Sequence, residues 1–112
     1  MANFNFNSSA LPKSGRVYLS GPITGYDTDE RRSFFGRYEN ALVNLGYEVV
    51  NPMNNGLPQD PDFPVEEHMK VDIKNLCGCD AILMLPEWSI SKGAKFEMQV
   101  AARVGITIAF VC

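Results

Sequence analysis

Cysteine is scarce and odd in number: three in 112 residues, Cys77, Cys79 and Cys112. Cys77 and Cys79 lie too close together for an ordinary disulfide framework, so a reducing, cytoplasmic setting is expected. Histidine is scarcer still. With His68 alone, the four-ligand shell of a structural zinc is hard to assemble, and no metal is expected. There is no excess of basic residues. The net charge is −3 with no long Lys/Arg run, which argues against duplex nucleic acid or an anionic membrane as a partner. No apolar stretch approaches the ~20 residues that span a bilayer. Met1 to Ser14 is rich in Asn and Ser and lacks an apolar core, so it is expected to be a flexible lead-in rather than a secretory signal.

What is present suits one folded domain over residues 15–112. Hydrophobic residues make up 46% of the chain, enough for one core. The size leaves little room for a second lobe, so a pocket needing more walls is expected to borrow them from another copy, as a dimer or higher homo-oligomer.

Arg16 to Ser20 (RVYLS) is a β-branched and aromatic run ending in Gly21-Pro22, which predicts a buried strand and a turn. Asp29 to Leu45 places Phe34, Phe35, Tyr38, Ala41, Leu42 and Leu45 near helical period, with Thr28 or Asp29 as cap and Gly46 as terminator. Tyr47 to Val50 predicts a second strand, and Asn54 to Pro64 a loop. Val65 to Leu76 predicts a second helix. Asp80 to Leu85 predicts a strand buried on both faces. After the loop Pro86 to Ser91, Gly93 to Val104 predicts a third helix with Phe96, Val100 and Val104 inward, and Ile106 to Val111 a fourth strand. Strands alternating with helices imply a doubly wound, three-layer α/β/α domain with a four-stranded, mainly parallel sheet of flavodoxin or Rossmann type. Ligands of such sheets sit outside the carboxyl ends of the strands. That selects Ser20 to Tyr26, Asn51 to Asp62 and Pro86 to Ser91.

Three segments in or beside these loops can carry chemistry. In Ser20-Gly21-Pro22-Ile23-Thr24-Gly25, two glycines would let backbone N–H groups approach a phosphate or ribose, and the same stretch also reads as a tight structural turn. Its spacing fits neither a dinucleotide fingerprint nor a P-loop. In Asp72 to Asp80, acids end a helix and open a strand, positions where solvated or capping carboxylates are common. In Trp88 to Glu97, Ser91 can cap a helix whose start is open to an anion, and Glu97 falls two turns in, between Phe96 and Met98. A glutamate there is either a surface residue or a partly buried one, and buried glutamates are rare without a purpose.

In order and spacing these segments resemble the nucleoside 2-deoxyribosyltransferase superfamily, and within it the deoxynucleoside 5′-monophosphate N-hydrolases and short phage and bacterial relatives. VYLSGPITG is similar to the first strand and substrate loop, with Tyr18 as the aromatic residue. DIKNLCGCD is similar to a motif whose first aspartate, here Asp72, contacts substrate. Ser91, Gly93 and Glu97 are similar to the catalytic signature S-x-G-x-x-x-E. The resemblance spans Arg16 to Val111.

It implies catalysis by Glu97, Asp72 and Tyr18: a glutamate nucleophile at the anomeric carbon, an aspartate protonating the leaving base, and a tyrosine positioning the glutamate or the sugar. Ser20, Gly21, Pro22, Ile23, Gly25, Trp88, Ser91 and Gly93 are the implied substrate-binding residues, with a small nucleotide or nucleoside as ligand and no cofactor. A serine six residues before the nucleophile resembles the monophosphate hydrolases, where the nucleoside-specific members resemble an aspartate. The implied substrate is therefore a (deoxy)nucleoside 5′-monophosphate.

Two departures stand out. Pro22, Ile23 and Thr24 stand where the hydrolases often carry a basic residue. The sequence also stops straight after the fourth strand, where many relatives continue to a segment that completes a neighbour's site. Dimerisation through other surfaces, or a more open pocket walled by Asn51 to Pro64, is expected instead. A non-catalytic nucleotide-binding module on the same fold is the alternative function. A flavin or redox carrier is a third class, for which Trp88 could stack a ring but no acidic flavin loop is evident.

Overall fold

Four parallel strands, lying side by side in the order Glu48–Val50, Arg16–Ser20, Ala81–Met84 and Thr107–Phe110, form the sheet. The structure, a computed structural model, describes residues 10–111. Along the chain run β1 (Arg16–Ser20), α1 (Thr28–Asn44), β2 (Glu48–Val50), α2 (Val65–Cys77), β3 (Ala81–Met84), α3 (Lys92–Val104) and β4 (Thr107–Phe110). Short 3₁₀ turns stand at Pro52–Asn54 and Trp88–Ile90. The expected three-layer α/β/α architecture is what forms, and its sheet is parallel throughout.

Strand alternation divides the core. Val17, Leu19, Ala81, Leu83 and Ala109 meet Phe35, Tyr38 and Leu42 of α1 on one face. Tyr18, Ile82 and Met84 meet Leu76 of α2 and Ala94 and Ala101 of α3 on the other. β1 and β3 have neighbours on both edges and helices on both faces, which explains their unbroken burial from Val17 to Ser20 and from Ala81 to Met84. Of the lead-in, Met1 to Ser9 lie outside the described residues. Leu11 packs into the α1-side core, and the Tyr47 hydroxyl donates to the Pro12 carbonyl at 2.6 Å.

Local chemistry sets the helix ends. Asp27, rather than Thr28 or Asp29, caps α1: its carboxylate accepts from the Glu30 N–H at 2.9 Å. Thr28 instead donates from its hydroxyl to the Gln59 carbonyl at 3.4 Å. Gly46 (φ +98°) ends α1 with paired bonds, Gly46 N–H to Val43 O and Tyr47 N–H to Leu42 O, a Schellman closure that a side chain at residue 46 would strain.

The faces of the helices depart from expectation in two places. Leu45 is exposed, and Arg31 is buried in its stead. On α3, Phe96 and Val104 point to solvent, Val100 is half-buried, and Ala94, Glu97 and Ala101 face the sheet. Small alanines let the helix approach β1 and β3 closely. That rotation carries Glu97 inward, where it finds polar partners.

Candidate active site

The strand order reverses between β1 and β3, and ligands of a doubly wound sheet bind at the carboxyl ends of the strands on either side of that switch point. Tyr18 and Ser20 lie two residues apart on β1 and so share the face covered by α2 and α3. Both are fully buried, and both point their hydroxyls at one carboxylate. Tyr18 Oη donates to Glu97 Oε2 at 2.8 Å, and Ser20 Oγ donates to Glu97 Oε1 at 2.6 Å. Each carboxylate oxygen is thus held by its own donor, and Glu97 is only 6% exposed.

Burial lifts the Glu97 carboxyl from its ordinary 4.5 to about 7. The two hydroxyls oppose that rise by favouring the charged form, while the nearby Asp72 charge adds to it. Burial likewise pushes Tyr18 well above its ordinary value, with the charges of Glu97 and Asp72 acting in the same direction.

Asp72 comes from α2 onto the same side of the sheet and is buried. Its carboxyl is raised by burial, against an opposing hydrogen bond from Asn55 and a smaller opposing influence of His68. The structure therefore gathers Tyr18, Glu97 and Asp72 into one cluster of titrating groups. It gives Ser20 a more direct place than a substrate loop residue would have, on the glutamate itself.

The other expected site residues surround this cluster unevenly. Gly21 is buried, and a Cβ there would meet Leu85 Cβ at 3.1 Å. Pro22 is buried, with its carbonyl accepting from Arg31 Nη1 at 3.1 Å. The Ile23 side chain packs towards α1, and its carbonyl closes a turn by accepting the Tyr26 N–H at 3.2 Å. Gly25 (φ +86°) is exposed, with open space where a side chain would go. Trp88 packs on the α3-side core, and its ring lies 5.4 Å from that of Phe110. Ser91 caps α3, its hydroxyl oxygen accepting from the Ala94 N–H at 3.1 Å. The Lys92 and Gly93 amides ahead of it have no acceptor within the helix. A Cβ on Gly93 would stand 3.3 Å from Met69 Cε, so α2 closes one side of the α3 tip.

Four residues that shape the site carry no periodic signal. Arg31 is buried between the rings of Tyr26 and Phe34, 4.3 and 4.2 Å from their centroids, and makes a two-pronged ion pair with Glu30. It ties α1 to the loop after β1. Asn55 and His68 bond to each other, and Asn55 also bonds to Asp72. Glu87 is the one non-glycine at positive φ (+68°) among the described residues, and it turns the chain from β3 towards α3.

Surface hollows of about 450 and 360 Å³ lie apart from this cluster. One is at the amino ends of the strands around the Arg16–Glu48 ion pair, and the other beside β2 around Asn51 and Asn75. Cys79 is buried and Cys77 exposed, both as free thiols, while Cys112 lies outside the described residues. Among the described residues, no three metal-ligating side chains gather, and no helix is long and apolar enough to cross a membrane.

A family model described as a domain of unknown function (DUF4406) matches residues 15–110. No curated protein matches the sequence. Among solved structures, the chain is similar to the 2-deoxyribosyltransferase of the psychrotolerant bacterium Bacillus psychrosaccharolyticus, at 20% identity and a TM-score of 0.64, over 83% of this chain and 69% of that one. It is also similar to the 2-deoxyribosyltransferase of Leishmania mexicana, at 18% identity and a TM-score of 0.66, over 88% of this chain and 63% of that one. The fold is that of the 2-deoxyribosyltransferases, as the resemblance in the sequence implies.

Proposed function

The chain belongs to the DUF4406 family, and from that premise we propose that it is an enzyme of nucleoside 2-deoxyribosyltransferase type. It would cleave or transfer at the N-glycosidic bond of a deoxynucleoside 5′-monophosphate, with Glu97 as nucleophile. The observation that carries this reading is the buried Glu97 carboxylate, oriented through both oxygens by Tyr18 and Ser20 beside a second buried carboxyl, Asp72. The fold shared with two 2-deoxyribosyltransferases supports the class of reaction.

In this mechanism, ionised Glu97 attacks the anomeric carbon. The bond to the base nitrogen breaks, and its electron pair leaves with the base, which takes a proton from Asp72. The resulting glycosyl ester is opened by water, or by an incoming base. Asp72 takes the proton released in that step, and Glu97 is regenerated. The reacting form thus carries one proton across the two carboxyls, on Asp72. Burial raises both carboxyls, Glu97 to about 7, and the hydrogen bonds from Tyr18 and Ser20 favour the arrangement in which Glu97 is charged and Asp72 holds the shared proton.

At the α3 tip, the Lys92 and Gly93 amides and the positive end of the helix would take the 5′-phosphate. Ser91 shapes that tip through its cap and adds no negative charge. The reading includes a homodimer, supported by exposed Ile90, Phe96, Val104 and Phe110 on α3 and its flanking segments.

The test is a panel of deoxynucleoside monophosphates and the matching nucleosides, scored for free base, with Glu97→Ala as control. Base release from monophosphates by the wild type alone is expected. Release that persists in Glu97→Ala removes Glu97 as nucleophile. Equal use of nucleosides removes the phosphate site. Tight binding of monophosphates without release supports a non-catalytic nucleotide-binding module instead.

A further inference from the structure

The loop between β2 and α2 reaches the candidate site through one side chain. Asn55 lies just after the 3₁₀ turn Pro52–Asn54, and its amide nitrogen has two protons to give. One goes to Asp72 Oδ1 at 3.0 Å and the other to His68 Nδ1 at 2.9 Å. His68 Nδ1 can accept only if its ring proton is on Nε2, and Nε2 lies 2.9 Å from the Pro58 carbonyl, which accepts it. The amide oxygen of Asn55 accepts the Leu57 N–H at 3.0 Å and faces Gln59 Nε2 at 3.5 Å. Turned over, the amide would set its oxygen against the Asp72 oxygen and the His68 lone pair, so its orientation is fixed on both sides.

The consequence falls on Asp72. Its Oδ1 is held by a group that donates and cannot accept. Its Oδ2 receives no hydrogen bond from any described residue, although no fully buried side-chain oxygen among them lacks a partner. Oδ2 is therefore the oxygen open to a ligand. In a protonated carboxyl the carbonyl oxygen is the better acceptor, so a donor fixed on Oδ1 directs the acidic proton to Oδ2.

We propose that Asn55, oriented by His68, is a positioning residue that holds Asp72 Oδ1 and leaves Oδ2 to carry the proton delivered to the leaving base. This rests on the reading of Asp72 as the acid given above. The ionisable groups around Asp72 are Tyr18 from β1, Glu97 from α3 and His68 from α2.

The test uses Asn55→Ser, whose hydroxyl still accepts the Leu57 N–H in the turn but falls short of Asp72. Asn55→Thr, which likewise keeps an acceptor for the turn and loses the amide donor, serves if Asn55→Ser does not fold. Two readouts are taken. The first is the titration midpoint of the Asp72 carboxyl, followed by carbon NMR with Asp72→Asn for assignment. It is expected to rise, because a donor to the charged form is gone. An unchanged midpoint in the folded variant overturns the proposal, whether or not the protein releases base.

The second readout compares leaving groups on the same deoxyribosyl 5-phosphate. Release of a purine, which must leave protonated, is expected to fall about tenfold in kcat with KM nearly unchanged. Release of 4-nitrophenolate, which departs without a proton, falls less than about threefold. Equal loss on both substrates also overturns the proposal. A wild type silent on both overturns the N-glycosidic reading instead, and the Asp72 midpoint still decides whether Asn55 acts on it.

Discussion

Replacing Glu97 by glutamine removes a buried charge while nearly keeping the side chain's volume, and its effect on stability depends on pH. The Glu97 carboxyl moves from its ordinary 4.5 to about 7 on folding, chiefly through burial. A group whose folded value is raised binds more protons in the folded state, so stability falls as pH rises between the two values. Each tenfold change in proton affinity is worth about 1.4 kcal/mol. The wild type therefore loses about 3 kcal/mol between pH 4.5 and pH 7 from this one residue. Glutamine has no such loss. Its amide also forces either the Tyr18 or the Ser20 hydroxyl to turn from donor to acceptor, a pH-independent cost that cancels when two pH values are compared. Urea unfolding of both proteins at pH 4.5 and pH 8 measures the difference. The advantage of Glu97→Gln is expected to grow by about 3 kcal/mol between those values, or about 10–15 °C in melting temperature for a domain of this size. A stability difference that stays the same at both pH values would refute the buried-carboxylate account of Glu97, whatever its role in catalysis.

Three further predictions concern other groups of the site and of the loop after β1. The pH dependence of kcat/KM is expected to be bell-shaped, because the reacting form carries one proton over Glu97 and Asp72, with one limb near pH 7. Asp72→Asn should leave residual activity that rises with pH on a single limb below the wild-type value for Glu97, since the charge that raises Glu97 is gone; a bell retained in the variant contradicts the pairing. Arg31→Met should leave the buried Pro22 carbonyl without its donor and destabilise the domain by about 1–3 kcal/mol in urea unfolding. A change within about 0.5 kcal/mol would show that Arg31 does not anchor the loop after β1.

The elements were legible because the sheet is buried on both faces and the helices on one. RVYLS and DAILML have no polar alternation to confuse with a helix, and their boundaries hold to within a residue or two. The rotation of α3 was not legible. Phe96, Val100 and Val104 form an apolar stripe at helical spacing, yet the close approach of Ala94 and Ala101 to the sheet turns most of that stripe outward. The candidate site was half legible. Glu97, Asp72 and Tyr18 stand in motifs that resemble a family, whereas Ser20 as a partner of Glu97 depends on the register of β1 against α3, which no local pattern encodes. Asn55, His68 and Arg31 were missed for the same reason. An asparagine in a Pro/Asn-rich loop, a histidine on a half-exposed helix face and an arginine in a first turn look solvated until distant segments close over them.

The two donors on Glu97 stand 79 and 77 residues before it, in the first strand, while the carboxylate stands in the last helix. Those contacts close loops of 79 and 77 residues. Closing loops of that span costs more chain entropy than making nearer contacts. The nascent chain carries its first strand out of the ribosome long before the glutamate it will hold. Until α3 docks, the buried faces of Tyr18 and Ser20 lie open to water. The order of synthesis thus keeps the two hydroxyls of β1 without their carboxylate until α3 has been made.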